Sequence, residues 1–188
     1  MILITGSAGL IGFHLSKYYL DKGRKVIGID NLNNYYDVKY KINRLKILRK
    51  YKNFKFIKID LKIEKNLKKL DNFKNKINFI VHLAGQAGVR YSILQPSSYI
   101  KNNIEAYIYL LEYFKQKKNI KTILYASSSS IYGDKKNLFD QDNPMISIYA
   151  VSKKTLEHIS NVYNQIYGLR FIGMRFFTVY GPFGRPDM

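Results

Sequence analysis

"TGSAGLIG", residues 5–12, decides the fold. It sets Gly6, Gly9 and Gly12 between a short apolar run, "ILIT" (2–5), and a stretch with helical spacing, "LIGFHLSKYYLDKG" (10–23). Glycine there allows a tight turn, close approach of backbone to a diphosphate, and close packing of helix on strand. The helix that follows offers unpaired N–H groups, with Leu10 and Ile11 in its first turn, and the positive end of its dipole. Three glycines alone are a weak signal. Here a second strand-like stretch, "KVIGID" (25–30), follows and ends at Asp30, 18 residues after Gly12. That is about where a dinucleotide fold places the acid that meets the adenosine ribose. A carboxylate there accepts ribose hydroxyls and repels a 2′-phosphate, which favours NAD over NADP. The competing reading is a structural turn with a surface Asp.

The rest of the chain repeats the alternation. Residues 36–51 have helical spacing, and "FKFIKID" (54–60) alternates as a strand. "INFIVHLAG" (77–85) reads as a buried strand, 97–117 as a long helix opening after Pro96, and "KTILYASS" (121–128) as another strand. Residues 129–146 read as a loop. Ser147 is a suitable N-cap for a helix over 148–167 that Gly168 ends, before a last strand, "LRFIGMRF" (169–176). Apolar strands separated by helices predict a doubly wound parallel α/β sheet, a Rossmann fold, covered on both faces. "ID" (59–60) and "HLAGQAG" (82–88) then end strands on the edge where ligands sit.

Composition narrows the classes. The chain has 188 residues, enough for one sizeable domain, and 46 % hydrophobic residues, enough for a packed core. It has no cysteine, so disulfides and thiolate chemistry are excluded. No apolar run reaches the roughly 18 residues of a membrane span, and the N-terminus lacks the basic region of a signal peptide. The expectation is a cytoplasmic protein. The formal charge is +19, from 32 Lys and Arg against 13 Asp and Glu. Only seven of those cations are Arg, and many lysines are spread through "KYKINRLKILRKYKNFKFIKIDLKIEKNLKKL" (39–70). That distribution reads as solvated lysines rather than a nucleic-acid face, though it still draws a phosphate-bearing substrate. His14, His82 and His158 share no ligand-like spacing, so no metal site is expected.

"YAVSK" (149–153) carries the chemistry. Tyr149 and Lys153 are i and i+4 on one helix and share a face. Tyrosine has a reference pKa of about 10, which a nearby ammonium and a nicotinamide cation pull toward neutrality. Tyr149 then takes the proton of a sugar hydroxyl as the hydride leaves the same carbon. The serines at 127–130 close the preceding strand beside that alcohol. An ordinary exposed Tyr/Lys pair is the bland alternative.

"TGSAGLIG", Asp30, "HLAGQAG", "SSSSIYG", "YAVSK" and "RFFTVYGP" stand in the order seen in extended short-chain dehydrogenase/reductases, the nucleotide-sugar epimerase/dehydratase family, and the resemblance spans essentially the whole chain. "DNLNNYYD" (30–37), "GQAGVRYS" (85–92) and "FFTVYGPFGRPDM" (176–188) look most like the family's UDP-glucuronate 4-epimerases. The resemblance implies NAD held by Gly6, Gly9, Leu10, Ile11 and Gly12 at the diphosphate, by Asp30 and Asn31 at the ribose, by Asp60 and Leu61 at the adenine, and by Ala84 and Lys153. It implies Tyr149 as base, Lys153 as its tuning cation, and Ser128 on the substrate hydroxyl. Ser129 and Thr178 fall near the sugar carboxylate, and Arg90 and Arg185 are cationic candidates on the substrate side.

The implied reaction is epimerisation of a UDP-sugar through a transient 4-keto intermediate, with no net redox. A 4-keto uronic acid is a β-keto acid and sheds CO₂ readily, so a pure epimerase must hold the carboxylate out of that geometry. A UDP-glucuronate decarboxylase and a UDP-hexose epimerase are the enzymatic alternatives. Ser129 and Ser130 stand where dehydratases of the family carry an Asp–Glu pair, which argues against dehydration. The family's fold continues into a smaller C-terminal substrate domain. The expectation is therefore an NAD-binding domain over 1–176, a truncated start of the substrate region over 177–188, and that domain absent, so that a non-catalytic NAD-binding fragment is the alternative of another class. Resembling proteins pair the helices at 97–117 and 148–167 across a dimer axis, which implies a homodimer.

Overall fold

The computed structural model describes residues 1–133 and 144–184. Six parallel strands lie in the order β3–β2–β1–β4–β5–β6: β1 (Ile2–Thr5), β2 (Val26–Asp30), β3 (Phe54–Lys58), β4 (Phe79–His82), β5 (Thr122–Ser128) and β6 (Phe171–Phe176). The doubly wound sheet read from the alternation is the one observed. The order reverses between β1 and β4, and that reversal opens a crevice above the C-terminal ends of the strands.

Strand periodicity divides the core. Ile2 and Ile4 point to one face, where Phe13 and Leu20 of α1 (Leu10–Asp21) and Leu45 and Leu48 of α2 (Val38–Leu48) cover them. Leu3, Ile27, Ile29, Ile80 and Ile123 serve the other face with Leu67 and Leu70 of a 3₁₀ stretch (Glu64–Leu70). Tyr107, Leu110, Leu111 and Phe114 of α6 (Ala106–Phe114) and Leu156 of α7 (Ile148–Tyr167) complete that face. Between these lie α3 (Asp71–Lys74), α4 (Val89–Leu94) and α5 (Pro96–Tyr99).

Element ends follow local chemistry. The Ser147 hydroxyl accepts from the Ala150 N–H at 3.0 Å and starts α7, a cap that stabilises a helix by about 1 kcal/mol. Gly168 ends α7 in the left-handed conformation, as its place in the sequence suggests. The long helix read over 97–117 runs instead from Pro96 to Phe114, and a π-helical turn (Ile100–Glu105) interrupts it. Of residues 129–146, read as a loop, 129–132 form a 3₁₀ turn, and 134–143 lie outside the described residues. Among the described residues no helix is long and apolar enough to cross a membrane.

Candidate active site

A cleft of about 520 Å³ lies at the C-terminal edge of the sheet, within the range of small-molecule sites. Gly6, Gly9, Leu10, Ile11 and Gly12 form its floor at β1; Asp30, Asn31, Asp60 and Leu61 form one end; Ala84, Ser128, Ser129, Tyr149, Lys153 and Thr178 form the other. Two candidates stand apart. Arg90 is exposed on α4 and is not part of the cleft lining. Arg185 lies outside the described residues.

The floor is a cradle that admits no side chain at its tightest points. A Cβ at Gly12 would sit 2.2 Å from the Gly6 carbonyl oxygen, and one at Gly6 would sit 2.8 Å from the Ala84 nitrogen. No side chain caps α1, so its first N–H groups face the cleft without intrahelical partners. Asp30 accepts from the Ala8 N–H at 3.2 Å and the Leu32 N–H at 2.8 Å. These bonds fix the carboxylate and leave lone pairs for a diol. Glycine cradle, bare helix end and fixed acid fit a dinucleotide.

The other end is assembled from side chains distant in sequence. α7 presents Tyr149 and Lys153 in its first two turns, and the Lys153 ammonium lies 5.9 Å from the Tyr149 ring centroid. Lys153 is buried and donates to the Ala126 carbonyl at 2.9 Å; burial brings its pKa down to about 8. It remains a cation at neutral pH, with a proton held less firmly than on a surface lysine. Ser128 lies buried at the end of β5, where its hydroxyl accepts from the Ser130 N–H at 3.1 Å. Thr178 is exposed at the rim.

Asn103 is the important residue that the sequence reading passed over. It lies buried in the π-helical turn, where its side chain accepts from the Gln86 N–H at 2.7 Å and donates to the Gln86 carbonyl at 3.1 Å and to the Ser152 hydroxyl at 2.9 Å. One amide thereby locks the loop after β4 to the helix carrying Tyr149. Its only sequence signal is an asparagine pair inside an apolar helix. Tyr99 reinforces that loop by donating to the Ala87 carbonyl at 2.9 Å and to the Gly88 carbonyl.

His82 joins the two ends. Thr5 Oγ1 accepts from the Leu83 and Ala84 N–H groups at 3.1 and 3.0 Å, so its own proton goes to His82 Nδ1 at 3.0 Å. The imidazole is thus neutral and protonated on Nε2, which finds no hydrogen-bond partner among the described residues; the ring stacks on Tyr107. Burial, reinforced by the Lys153 charge, pushes the His82 pKa down to about 3.

Glycine cradle, fixed acid and Tyr/Lys pair on one crevice define a dinucleotide-dependent fold of the doubly wound class. The chain belongs to the NAD dependent epimerase/dehydratase family, whose sequence model matches residues 2–188. It is 46 % identical to Protein CapI of Staphylococcus aureus over all of this chain and 56 % of that protein. It is 45 % identical to UDP-glucuronate 4-epimerase 6 of Arabidopsis thaliana, again over all of this chain and 41 % of that protein. The crystal structure of UDP-glucuronic acid 4-epimerase from Bacillus cereus, in complex with UDP-glucuronic acid and NAD, superposes with a TM-score of 0.87 at 34 % identity. That match covers all of this chain and 59 % of the other. The chain thus spans about half the length of the curated relatives it matches.

Proposed function

We propose that this chain carries the NAD-binding and proton-transfer half of a UDP-glucuronate 4-epimerase, which interconverts UDP-glucuronate and UDP-galacturonate. The observation that carries the reading is the arrangement of Tyr149 and Lys153 on the same cleft as the glycine cradle and Asp30. Similarity to UDP-glucuronate 4-epimerases supports the sugar. Residues 1–176 form the NAD-binding unit, and 177–188 begin the region that binds the sugar nucleotide.

Bound NAD supplies reversible storage of a hydride. The chain's own residues move the proton and hold the sugar. Tyr149 Oη takes the proton of the C4 hydroxyl and returns it after the ring has turned over. Lys153 favours the phenolate by its charge, and Ser128 orients the reacting oxygen. Ser129, at the cleft wall, and Thr178, at its rim, offer neutral hydroxyls to the carboxylate, which bind it without driving loss of CO₂. No carboxyl stands at 129 or 130 to serve a dehydration. Arg90 and Arg185 remain cationic candidates for the substrate's phosphates.

A homodimer through the Pro96–Phe114 and Ile148–Tyr167 helices belongs to the same reading. Exposed Ile100, Val151, Val162 and Ile166 support it. A reaction on NAD and a UDP-sugar also suits the cytoplasm. The test is incubation with NAD and UDP-glucuronate, followed by chromatography and mass spectrometry of the nucleotide sugar. UDP-galacturonate of unchanged mass is expected. Loss of CO₂ would make the chain a decarboxylase, conversion of UDP-glucose alone a hexose epimerase, and NAD binding without turnover a non-catalytic unit.

A further inference from the structure

Among the described residues only two lysines are buried, Lys41 and Lys153, and both line the cleft. Lys153 belongs to the Tyr149 pair. Lys41 has no such assignment. It lies in the lysine-rich stretch 39–70, where every other lysine is exposed.

Lys41 and Arg44 are three residues apart on the inner face of α2, 5 % and 1 % exposed. Among the described residues Arg44 donates only to neutral acceptors: the Ala8 carbonyl at 2.8 Å, the Tyr36 hydroxyl at 2.7 Å, and the carbonyls of Phe183 and Gly184. Lys41 donates to the Asn33 carbonyl at 2.8 Å and to Asn33 Oδ1, and its ammonium lies 4.9 Å from the Tyr36 ring centroid. Neither cation forms a salt bridge among the described residues. The opposing charge in range is Asp30, which draws the Lys41 pKa up while burial and Arg44 hold it below the ordinary lysine value. Lys41 thus shares the cleft lining with the buried carboxylate of Asp30, and a buried cation without a full counter-charge is costly. Asn33 occupies two of the three ammonium donors, so one remains, and Lys41 lines the cleft.

We infer that Lys41 is a cofactor-binding and specificity-determining residue: it donates to the adenosine ribose beside Asp30, and it is a latent site for a 2′-phosphate. Asp30 excludes that phosphate by charge, and Lys41 offsets the exclusion. Preference for NAD over NADP is then a balance of two side chains, and removing the Asp30 charge tips the pocket toward NADP through Lys41. The inference rests on the dinucleotide part of the proposed function and on neither the sugar nor the reaction.

The experiment is calorimetric titration of the purified chain with NAD and with NADP. The parent binds NAD more tightly. Asp30→Asn and Asp30→Ala shift the NADP/NAD affinity ratio by about tenfold or more toward NADP, as expected when a charge opposing a phosphate is lost. Lys41→Met in either background cancels most of that gain, whereas Lys41→Arg retains it. Circular dichroism verifies the fold, and Lys41→Gln repeats the measurement if methionine at 41 perturbs α2. NADP binding in the Asp30 variants that is indifferent to position 41 would overturn the inference alone. A folded parent that binds no NAD would overturn the dinucleotide reading and the inference with it.

Discussion

The two ends of the cleft are built by different means. The glycine end is backbone: glycines at 6, 9 and 12, a bare helix terminus, and an acid pinned by two N–H groups. The tyrosine end is side chain: Lys153 on a strand carbonyl, Ser128 on a turn, and Asn103 bridging a loop to α7 across 49 residues. A backbone site is specified within one β–α–β stretch, residues 2–30, and tolerates no added atom at its tightest points. A side-chain site depends on contacts from several elements, and each support can be weakened singly. Substitutions at the first end should therefore act on fold and binding, and those at the second on rate.

The largest expected effect lies at the tyrosine end. Under the proposed function, Tyr149→Phe should lower epimerisation by about 10²–10⁴-fold, the range for loss of a general acid–base group, with NAD affinity nearly unchanged. A parallel loss of NAD binding would mean that the two ends are not separable. At the glycine end, Gly12→Ala forces a Cβ to within 2.2 Å of a backbone oxygen, and should cost about 3 kcal/mol in a denaturation curve. Gly9→Ala sharpens the contrast. Its backbone is extended, and its Cβ would lie 3.1 Å from the Gly6 oxygen. It should leave the melting temperature close to the parent's while weakening NAD binding.

His82 tests the seam. Its folded-state pKa of about 3 lies below its ordinary value of 6.5, so the fold requires the neutral ring. Its stabilising contribution is complete above pH 6.5 and declines on acidification toward pH 3, by about 1.4 kcal/mol per pH unit. Equilibrium unfolding of the parent against His82→Asn isolates that slope; identical pH profiles would contradict it. The smallest effect belongs to the cap. Ser147→Ala should cost about 1 kcal/mol and, because Tyr149 sits two residues further on, lower turnover as well.

The backbone end was legible because its requirements are local. Gly6 to Gly12 and the strand ending at Asp30 announce themselves within a few residues, as do the two ends of α7 at Ser147 and Gly168. At the other end the placement of Tyr149 and Lys153 on one helix face was legible from their i, i+4 spacing, but their supports were not. Asn103 acts through a loop and a helix that meet only in three dimensions, and nothing in "YIKNNIEAY" marks a π-helical turn. Lys41 and Arg44 were hidden by composition, since in a lysine-rich stretch they pass for solvated charge. A signal was present nonetheless. Lys41, Arg44, Leu45 and Leu48 are i, i+3, i+4 and i+7, so the two cations occupy the inward stripe of α2.

The π-helical turn has a consequence for how this domain can change. Residues before it brace the cofactor loop, through Tyr99, and residues after it fill the interior, through Tyr107, Leu110 and Phe114. Each residue of a helix advances the azimuth by about 100°. Excising one position between 100 and 105 would swing one of these sets out of alignment with its target, whichever way the helix healed. The widened turn acts as a phase adjuster between the loop after β4 and the core, so deletions there should be purged far more strictly than point changes.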